Sequence, residues 1–221
     1  LVGNSKKLYV NYKNLAKDIK EGENILLDDG KIILKILSRN KRDLITAEVI
    51  QGGNIDSNKG FNLPNTKISL SPLTEKDIED AILAIKEKVD WLALSFVRSK
   101  SDIEDLLKII DQNSEYRIPV IAKIEKPEAL KNIDEIIKVS SGLMVARGDL
   151  GVEIQASEIP LIQKKLVTKA KKARIPVIIA TQMMESMMES MSPTRAEVND
   201  VANWVMDGAD AVMLSGETSV G

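Results

Sequence analysis

Lys123 and Glu125 stand two residues apart in "VIAKIE" (120–125), Asp149 follows a glycine in "MVARGDLGVEI" (144–154), and Thr181 comes at the end of "IPVIIATQ" (175–182). Each group sits where an apolar run stops. The chain contains no histidine and no cysteine. That excludes a Ser-His-Asp triad, thiolate catalysis, disulfides and any metal held by imidazole or sulfur. Catalysis would have to use lysine, carboxylates, hydroxyls, arginine or a hard cation held by oxygen. Glu125 and Asp149 can share one such ion, Mg²⁺ or Mn²⁺. Lys123 points to the same strand face as Glu125 and can neutralise charge on a transferring phosphoryl group. Gly148 and Gly151 let backbone approach a ligand, the turn after them can offer N–H groups to an anion, and Thr181 can hydrogen-bond nearby. Together these residues describe a metal-bridged site for a small phosphorylated or carboxylated anion. Taken singly, each also suits a structural role: an ion pair, a helix cap, a turn glycine, a strand threonine.

The surrounding elements decide whether these groups meet. Residues 1–65 show short β-type runs with turn chemistry between them. "KKLYVNY" is followed by a short helical "NLAKDIKEG". Asp29-Gly30 separates two apolar runs in "NILLDDGKIILKIL", a hairpin signal, and "DLITAEVI" and "SNKGFNLPN" come after it. A small antiparallel barrel or sandwich is expected. From residue 66 the rhythm alternates. Helical patterns "TEKDIEDAILAIKEK", "DIEDLLKII", "PEALKNIDEIIKV", "EIPLIQKKLVTKAKKA" and "AEVNDVANWVMDG" separate the strands "VDWLALSFV", "IPVIAKIE", "GLMVARG", "IPVIIATQ" and "ADAVMLSG". Thr74, Ser101 with Glu104, and Thr194 with Glu197 read as helix N-termini, Pro127 as a first-turn proline and Gly208 as a helix stop. Strand–helix alternation predicts a parallel sheet with helical crossovers, and five polar strand ends out of five favour a βα-barrel over an open sheet. The methionines of "MMESMMESM" (183–191) are expected to fill apolar gaps, and "KAKKA" (169–173) to be a solvated helix face.

The bulk numbers are those of an ordinary globular protein: 43% apolar, 29% charged, formal net charge −2. They give no electrostatic case for nucleic acid or an anionic membrane, and no membrane-spanning run or signal peptide is visible. A soluble cytoplasmic protein is the expectation. The chain starts at Leu1 and stops at Gly221 just after an apolar run, so both ends are expected to be cuts.

Eight stretches resemble pyruvate kinases: "ILLDDGKI" (25–32), "NKGFNLP" (58–64), "DWLALSFVR" (90–98), "VIAKIEKPEAL" (120–130), "LMVARGDLGVEI" (143–154), "IIATQMMESM" (178–187), "SPTRAEVNDVAN" (192–203) and "DGADAVMLSGET" (207–218). The resemblance implies a partial (β/α)8 TIM barrel with a small inserted antiparallel β-barrel domain. Residues 1–65 would be most of that lid domain, and 66–221 would run from the third barrel helix to the eighth strand. The first three strands, the last helix and the C-terminal domain of the family would be absent, and the isolated segment inactive. The implied reaction is phosphoenolpyruvate plus ADP to pyruvate plus ATP, in glycolysis. By the same likeness Lys123 stabilises the transferring phosphoryl group and Glu125 and Asp149 hold Mg²⁺ or Mn²⁺. The backbone at Gly148 and Asp149 receives the substrate carboxylate with Thr181, a threonine tied to enolate protonation. Asp28 and Lys59 match positions facing ATP or ADP, and Arg195 a segment near a subunit interface. K⁺ and a homotetramer are implied for the full-length protein. Two residues depart from the family pattern: Trp204 where a small alanine is usual, and Ala129 where glycine is common. A Mg²⁺-dependent enolate-forming aldolase or lyase is the alternative enzyme, though such barrels lack the inserted β-domain. A folded remnant without catalysis, with unpaired sheet edges that favour association, is the alternative outside enzymes.

Overall fold

The computed structural model of the chain describes residues 3–4, 6–28, 30–57, 59–64, 66 and 73–221. The chain divides into two units, Leu1–Leu70 and Ser71–Gly221.

In the first unit, a short helix α1 (Leu15–Asp18) precedes strands β1 (Asn24–Leu27), β2 (Ile32–Arg39), β3 (Ile45–Gln51) and β4 (Phe61–Asn62). They form an antiparallel sheet in the order β3-β2-β1-β4. Alternation places Ile25 and Leu27 of β1 and Ile32 and Ile36 of β2 in one apolar cluster with Leu15, Ile19 and Leu63. The hairpin stands where turn chemistry puts it: Leu27 pairs with Ile32, and Asp28 and Gly30 have φ of 49° and 83°. Asp29, half of the expected turn dipeptide, lies outside the described residues, as do Asn58 and Asn65 of the segment around β4. "KKLYVNY" forms no strand. Only an isolated bridge between Asn4 and Lys7 occurs there, and Leu8, Tyr9 and Val10 are exposed, so nothing rewards extended pairing.

The second unit alternates as expected. Its elements are α2 (Glu75–Lys86), β5 (Leu92–Leu94), α3 (Lys100–Asn113), β6 (Val120–Ile124), α4 (Pro127–Lys131), α5 (Ile133–Val139), β7 (Gly142–Ala146), α6 (Arg147–Glu153), α7 (Ile159–Ala173), β8 (Val177–Ala180), α8 (Arg195–Asp207), β9 (Ala211–Met213) and α9 (Gly216–Ser219). All five strands are parallel, in the sequential order β5-β6-β7-β8-β9. Every residue of the central strand β7 is buried, as a strand covered on both faces requires. The core joins Val120, Ala122, Ile124, Leu143, Val145, Val177 and Ile179 of the sheet to helix residues such as Ile103, Ile110, Ile136, Leu166 and Trp204. Among the described residues no helix is long and apolar enough to cross a membrane.

The caps at Thr74 and Thr194, Pro127 in the first turn of α4 and left-handed Gly208 after α8 stand as the sequence predicts. The α3 cap does not. It lies at Ser99, because the Asp102 carboxylate accepts the N–H groups of Arg98 and Ser99 at 2.7 and 3.0 Å; Ser101 and Glu104 are already inside the helix. "PEALKNIDEIIKV" is two helices broken at Asn132, whose side chain donates to the Arg98 carbonyl at 2.9 Å.

Truncation of the core should be costly only where the sheet is covered. Leu143→Ala is expected to lower the unfolding free energy by about 3 kcal/mol through lost burial and a residual cavity. Leu83→Ala on the exposed face of α2 should change it by less than about 0.5 kcal/mol. Urea denaturation of the two variants checks the contrast.

Candidate active site

Four of the predicted groups, Lys123, Glu125, Gly148 and Thr181, lie at or just past the carboxyl ends of adjacent parallel strands. Lys123 is the fourth residue of β6 and Glu125 the first after it. In the ladder Ile124 pairs with Val145 and Ala146 with Ala180, so Glu125, Arg147 and Thr181 leave the sheet at the same edge. The strand expected over "GLMVARG" stops at Ala146, and a helix takes the place of the turn after it: Arg147 opens α6, which puts Gly148 and Asp149 in a first helical turn.

Lys123 and Glu125 are bonded to each other. The lysine Nζ lies 2.7 Å from Glu125 Oε1 and donates to Ser95 Oγ, past the end of β5, at 2.7 Å. The second carboxylate oxygen accepts the Phe96 N–H at 2.7 Å. Phe96 is left-handed (φ 55°), which ends β5 after three residues and turns its N–H to the carboxylate. Glu125 is 1% exposed, and these bonds make its burial tolerable.

Thr181 and Gly148 meet directly. The Gly148 N–H donates to Thr181 Oγ1 at 2.9 Å. A Cβ at position 148 would stand 3.1 Å from that side-chain oxygen, so a larger residue would have to push the Thr181 hydroxyl back by a few tenths of an ångström. Thr181 and Gln182 both have positive φ, 68° and 51°, an uncommon state for any side chain and a strained one for a β-branched residue. At Gly151 an added Cβ would meet nothing within 4 Å, so packing among the described residues does not account for that glycine.

Several groups around these four have contacts that the sequence alone does not assign. Arg147 donates to the carbonyls of Thr181 and Gln182 at 3.1 and 2.5 Å and to Asp200 Oδ2 at 3.0 Å. Burial pushes its pKa below the ordinary guanidinium value, and Asp200 opposes that shift. Lys126 and Glu153 form a buried pair at 2.5 Å that ties the segment after β6 to the last residue of α6. Glu217 of α9 accepts the N–H groups of Met183, Met184 and Ser215. Burial alone would raise its pKa; those backbone donors outweigh it and hold the carboxyl below its ordinary value. Glu197 accepts from the Ser186 hydroxyl and N–H and from Thr194, and its pKa falls to about 2. A sequence signal existed for Arg147 and Glu217, which lie at polar strand ends. None existed for Lys126 with Glu153, whose pairing depends on the tertiary path.

Asp28 and Lys59 are both in the first unit and form an ion pair at 3.1 Å, with Lys31 on the other carboxylate oxygen at 3.0 Å. Lys31 first, then Lys59, holds the Asp28 carboxyl below its ordinary value. Arg195 is exposed at the first position of α8. Met183 is buried in the core as a gap-filling methionine should be, whereas Met191 is fully exposed.

By residue type, Glu125 and Asp149 are carboxylates that could each give oxygen to a hard divalent cation. No group of three or more Asp or Glu side chains able to hold a metal occurs among the described residues. Two carboxylates are what Mg²⁺ commonly takes from a protein, with water and substrate oxygens filling the rest. The fold is thus that of a βα protein whose parallel sheet carries a lysine, a buried carboxylate, a glycine and a threonine at its carboxyl edge. Residues 2–221 match the family model described as the pyruvate kinase barrel domain. The chain is 52% identical to a pyruvate kinase of Corynebacterium glutamicum over 99% of its length and 46% of that protein's. Identity is 48% to a pyruvate kinase of Mycobacterium tuberculosis, with the same shares, and 49% to one of Sporosarcina psychrophila, covering 99% of this chain and 38% of the relative. The chain belongs to the pyruvate kinase family. It spans less than half the length of these curated relatives.

Two stability predictions follow from the charged contacts. Glu153→Gln, which strands Lys126 without its counter-charge, is expected to destabilise by about 3 kcal/mol, and adding Lys126→Met should recover part of that loss; chemical denaturation of the single and double variants measures both. Glu197 has a folded-state pKa depressed to about 2 from 4.5, so its contribution is complete above about pH 4.5 and is lost as pH falls toward 2. Glu197→Gln should therefore flatten the decline of the denaturation midpoint across that acid window.

Proposed function

We propose that the protein of which this chain is part transfers the phosphoryl group of phosphoenolpyruvate to ADP, giving pyruvate and ATP. The observation that carries this reading is the grouping of Lys123, Glu125, Gly148 and Thr181 at one edge of the parallel sheet, in a chain of this family. The bond from phosphorus to the enol oxygen breaks, a bond to a terminal ADP oxygen forms, and the enolate released takes a proton at carbon. Lys123 binds the phosphoryl oxygens, where its charge counts most as negative charge shifts between donor and acceptor. Glu125 and Asp149 would hold Mg²⁺ or Mn²⁺, which would supply further neutralisation of negative charge on the substrate. The first turn of α6, at Gly148 and Asp149, receives the substrate carboxylate. Thr181, whose oxygen already accepts the Gly148 N–H, keeps its hydroxyl hydrogen for donation toward the enolate side of the substrate.

The wider reading follows the family. The parallel sheet is part of a (β/α)8 TIM barrel, with residues 66–221 supplying its third helix to eighth strand, and residues 1–65 are most of an inserted β-barrel lid. On that lid Asp28 and Lys59 face the nucleotide; their ion pair shows the two side chains can be held side by side. Arg195 lies at a subunit interface of a homotetramer. A cation at a helix N-terminus gains nothing from the helix dipole, which supports a role for Arg195 outside its own helix. K⁺ use and a cytoplasmic location belong to the same reading.

In the full-length protein, Lys123→Met is expected to lower kcat by about a thousandfold, the order associated with losing a transition-state charge, while Mn²⁺ binding measured by electron paramagnetic resonance is retained, at least as tight as wild type once the competing ammonium is gone. A coupled pyruvate assay tests the reaction class: pyruvate formation must require ADP, and ADP-independent pyruvate would refute kinase activity.

A further inference from the structure

Arg147 occupies the middle of a contact network that the proposed chemistry does not use. Its guanidinium reaches the carbonyls of Thr181 and Gln182, the two left-handed residues after β8. Such backbone persists only where its surroundings hold it, and here the restraints include these two hydrogen bonds, Glu217 on the next two N–H groups, the Thr181 N–H on the Met213 carbonyl at 3.4 Å and the Gly148 N–H on the Thr181 hydroxyl. The guanidinium is itself fixed from α8. Asp200 accepts from Arg147 at 3.0 Å, and the Trp204 ring lies with its centroid 3.9 Å from the guanidinium carbon. Asp200 and Trp204 are four residues apart and therefore on one face of the helix. Trp204 is 2% exposed. The Arg147 Nε is buried and has no hydrogen-bond partner among the described residues, so the aromatic face is what offsets part of its desolvation.

Trp204 is the aromatic partner of the guanidinium. An alanine there could not cover the guanidinium, and the arginine would be restrained by Asp200 and the two carbonyls alone. We propose that Arg147 is a positioning residue, clamped by Trp204 and Asp200, that holds Thr181 against the Gly148 N–H. The guanidinium fork suits the task because it spans two neighbouring carbonyls and an acid at once, which a lysine ammonium on a flexible stem does not reproduce. The consequence for turnover rests on the kinase reading; the positional consequence does not.

The test uses the full-length protein with Trp204→Ala, Trp204→Leu, Trp204→Phe, Arg147→Lys and Arg147→Met. Amide hydrogen exchange is read on peptides spanning 144–154 and 178–185, with kcat and KM measured alongside. Trp204→Ala and Trp204→Leu are expected to speed exchange in both peptides about tenfold, the scale of a desolvated cation–aromatic contact, and Trp204→Phe to restore most of the protection. Arg147→Met and Arg147→Lys should both raise exchange, with kcat falling about tenfold and metal and nucleotide KM little changed. Protection in Trp204→Leu equal to wild type would reduce Trp204 to a space filler and overturn the clamp. So would unchanged exchange in Arg147→Met. If the wild-type protein made no pyruvate from phosphoenolpyruvate and ADP, the kinase reading would fail while the exchange data still decided the clamp.

Discussion

Ile124 pairs with Val145 in the parallel ladder, and Ala146 with Ala180; Glu125, Arg147 and Thr181 are the residues immediately beyond. Everything in the site depends on that register. Side chains alternate faces along a strand, so a slip of one residue between β6 and β7 would carry Lys123 into the helix-covered layer and bring Ala122 or Ile124 to the other side. Burial prevents the slip. Val120, Ala122 and Ile124 are each fully enclosed on one face, and all of β7 is buried, so the apolar pattern that stabilises the sheet also dictates where its polar ends fall. The chemistry is positioned by residues that take no part in it.

Beyond the strand ends, charged side chains take over from the ladder. Three non-glycine residues there have positive φ, Phe96, Thr181 and Gln182, and a Cβ at Gly148 would crowd the Thr181 hydroxyl. Each strained segment is held by an ionic group: Glu125 by way of the Phe96 N–H, Arg147 by way of two carbonyls, and Glu217 by way of two N–H groups. The arrangement is reciprocal. Buried charges need hydrogen bonds to be tolerable, and kinked backbone exposes the N–H and C=O groups that the ladder no longer uses. Lys126 with Glu153 extends the same logic between the segments that carry Glu125 and Asp149.

The order of elements in the second unit was legible because its apolar runs change period sharply, from continuous strands to helices with three- and four-residue spacing. Lys123, Glu125, Gly148 and Thr181 were legible as groups at strand ends, since each alone has an ordinary structural reading but their recurrence at the ends of successive apolar runs does not. Strand lengths were less so. "VDWLALSFV" reads as one run, yet only Leu92–Leu94 pairs, because Phe96 turns its N–H to an acid twenty-nine residues further along the chain. The α3 cap slipped from Ser101 to Ser99 for a similar reason: two serines offer the same local chemistry, and the buried Asp102 selects between them. "KKLYVNY" has strand composition without a partner, and propensity alone does not make a strand. What escaped the sequence were contacts between distant residues, such as Arg147 on Trp204 and Lys126 on Glu153.

The Lys123–Glu125 pair sets the electrostatic condition of the site. A lysine ammonium carries three donors. One goes to Glu125 and one to the Ser95 hydroxyl, which leaves the third for an anion. The carboxylate oxygen facing Lys123 has a second lone-pair direction, so accepting that hydrogen bond does not exhaust it as a ligand. A cation bound there would draw on the same negative charge that now favours the ammonium, and the two positive groups would repel across a short distance. An anion lying between them removes that conflict, because it is attracted to both. Under the proposed function the pair would make cation binding and anion binding mutually supporting: either charge alone would meet an unfavourable neighbour, and the two together would complete an alternating arrangement. Ser95 matters to this balance, since its neutral hydroxyl keeps Lys123 anchored beside the acid without cancelling the charge that an incoming phosphate or carboxylate would meet.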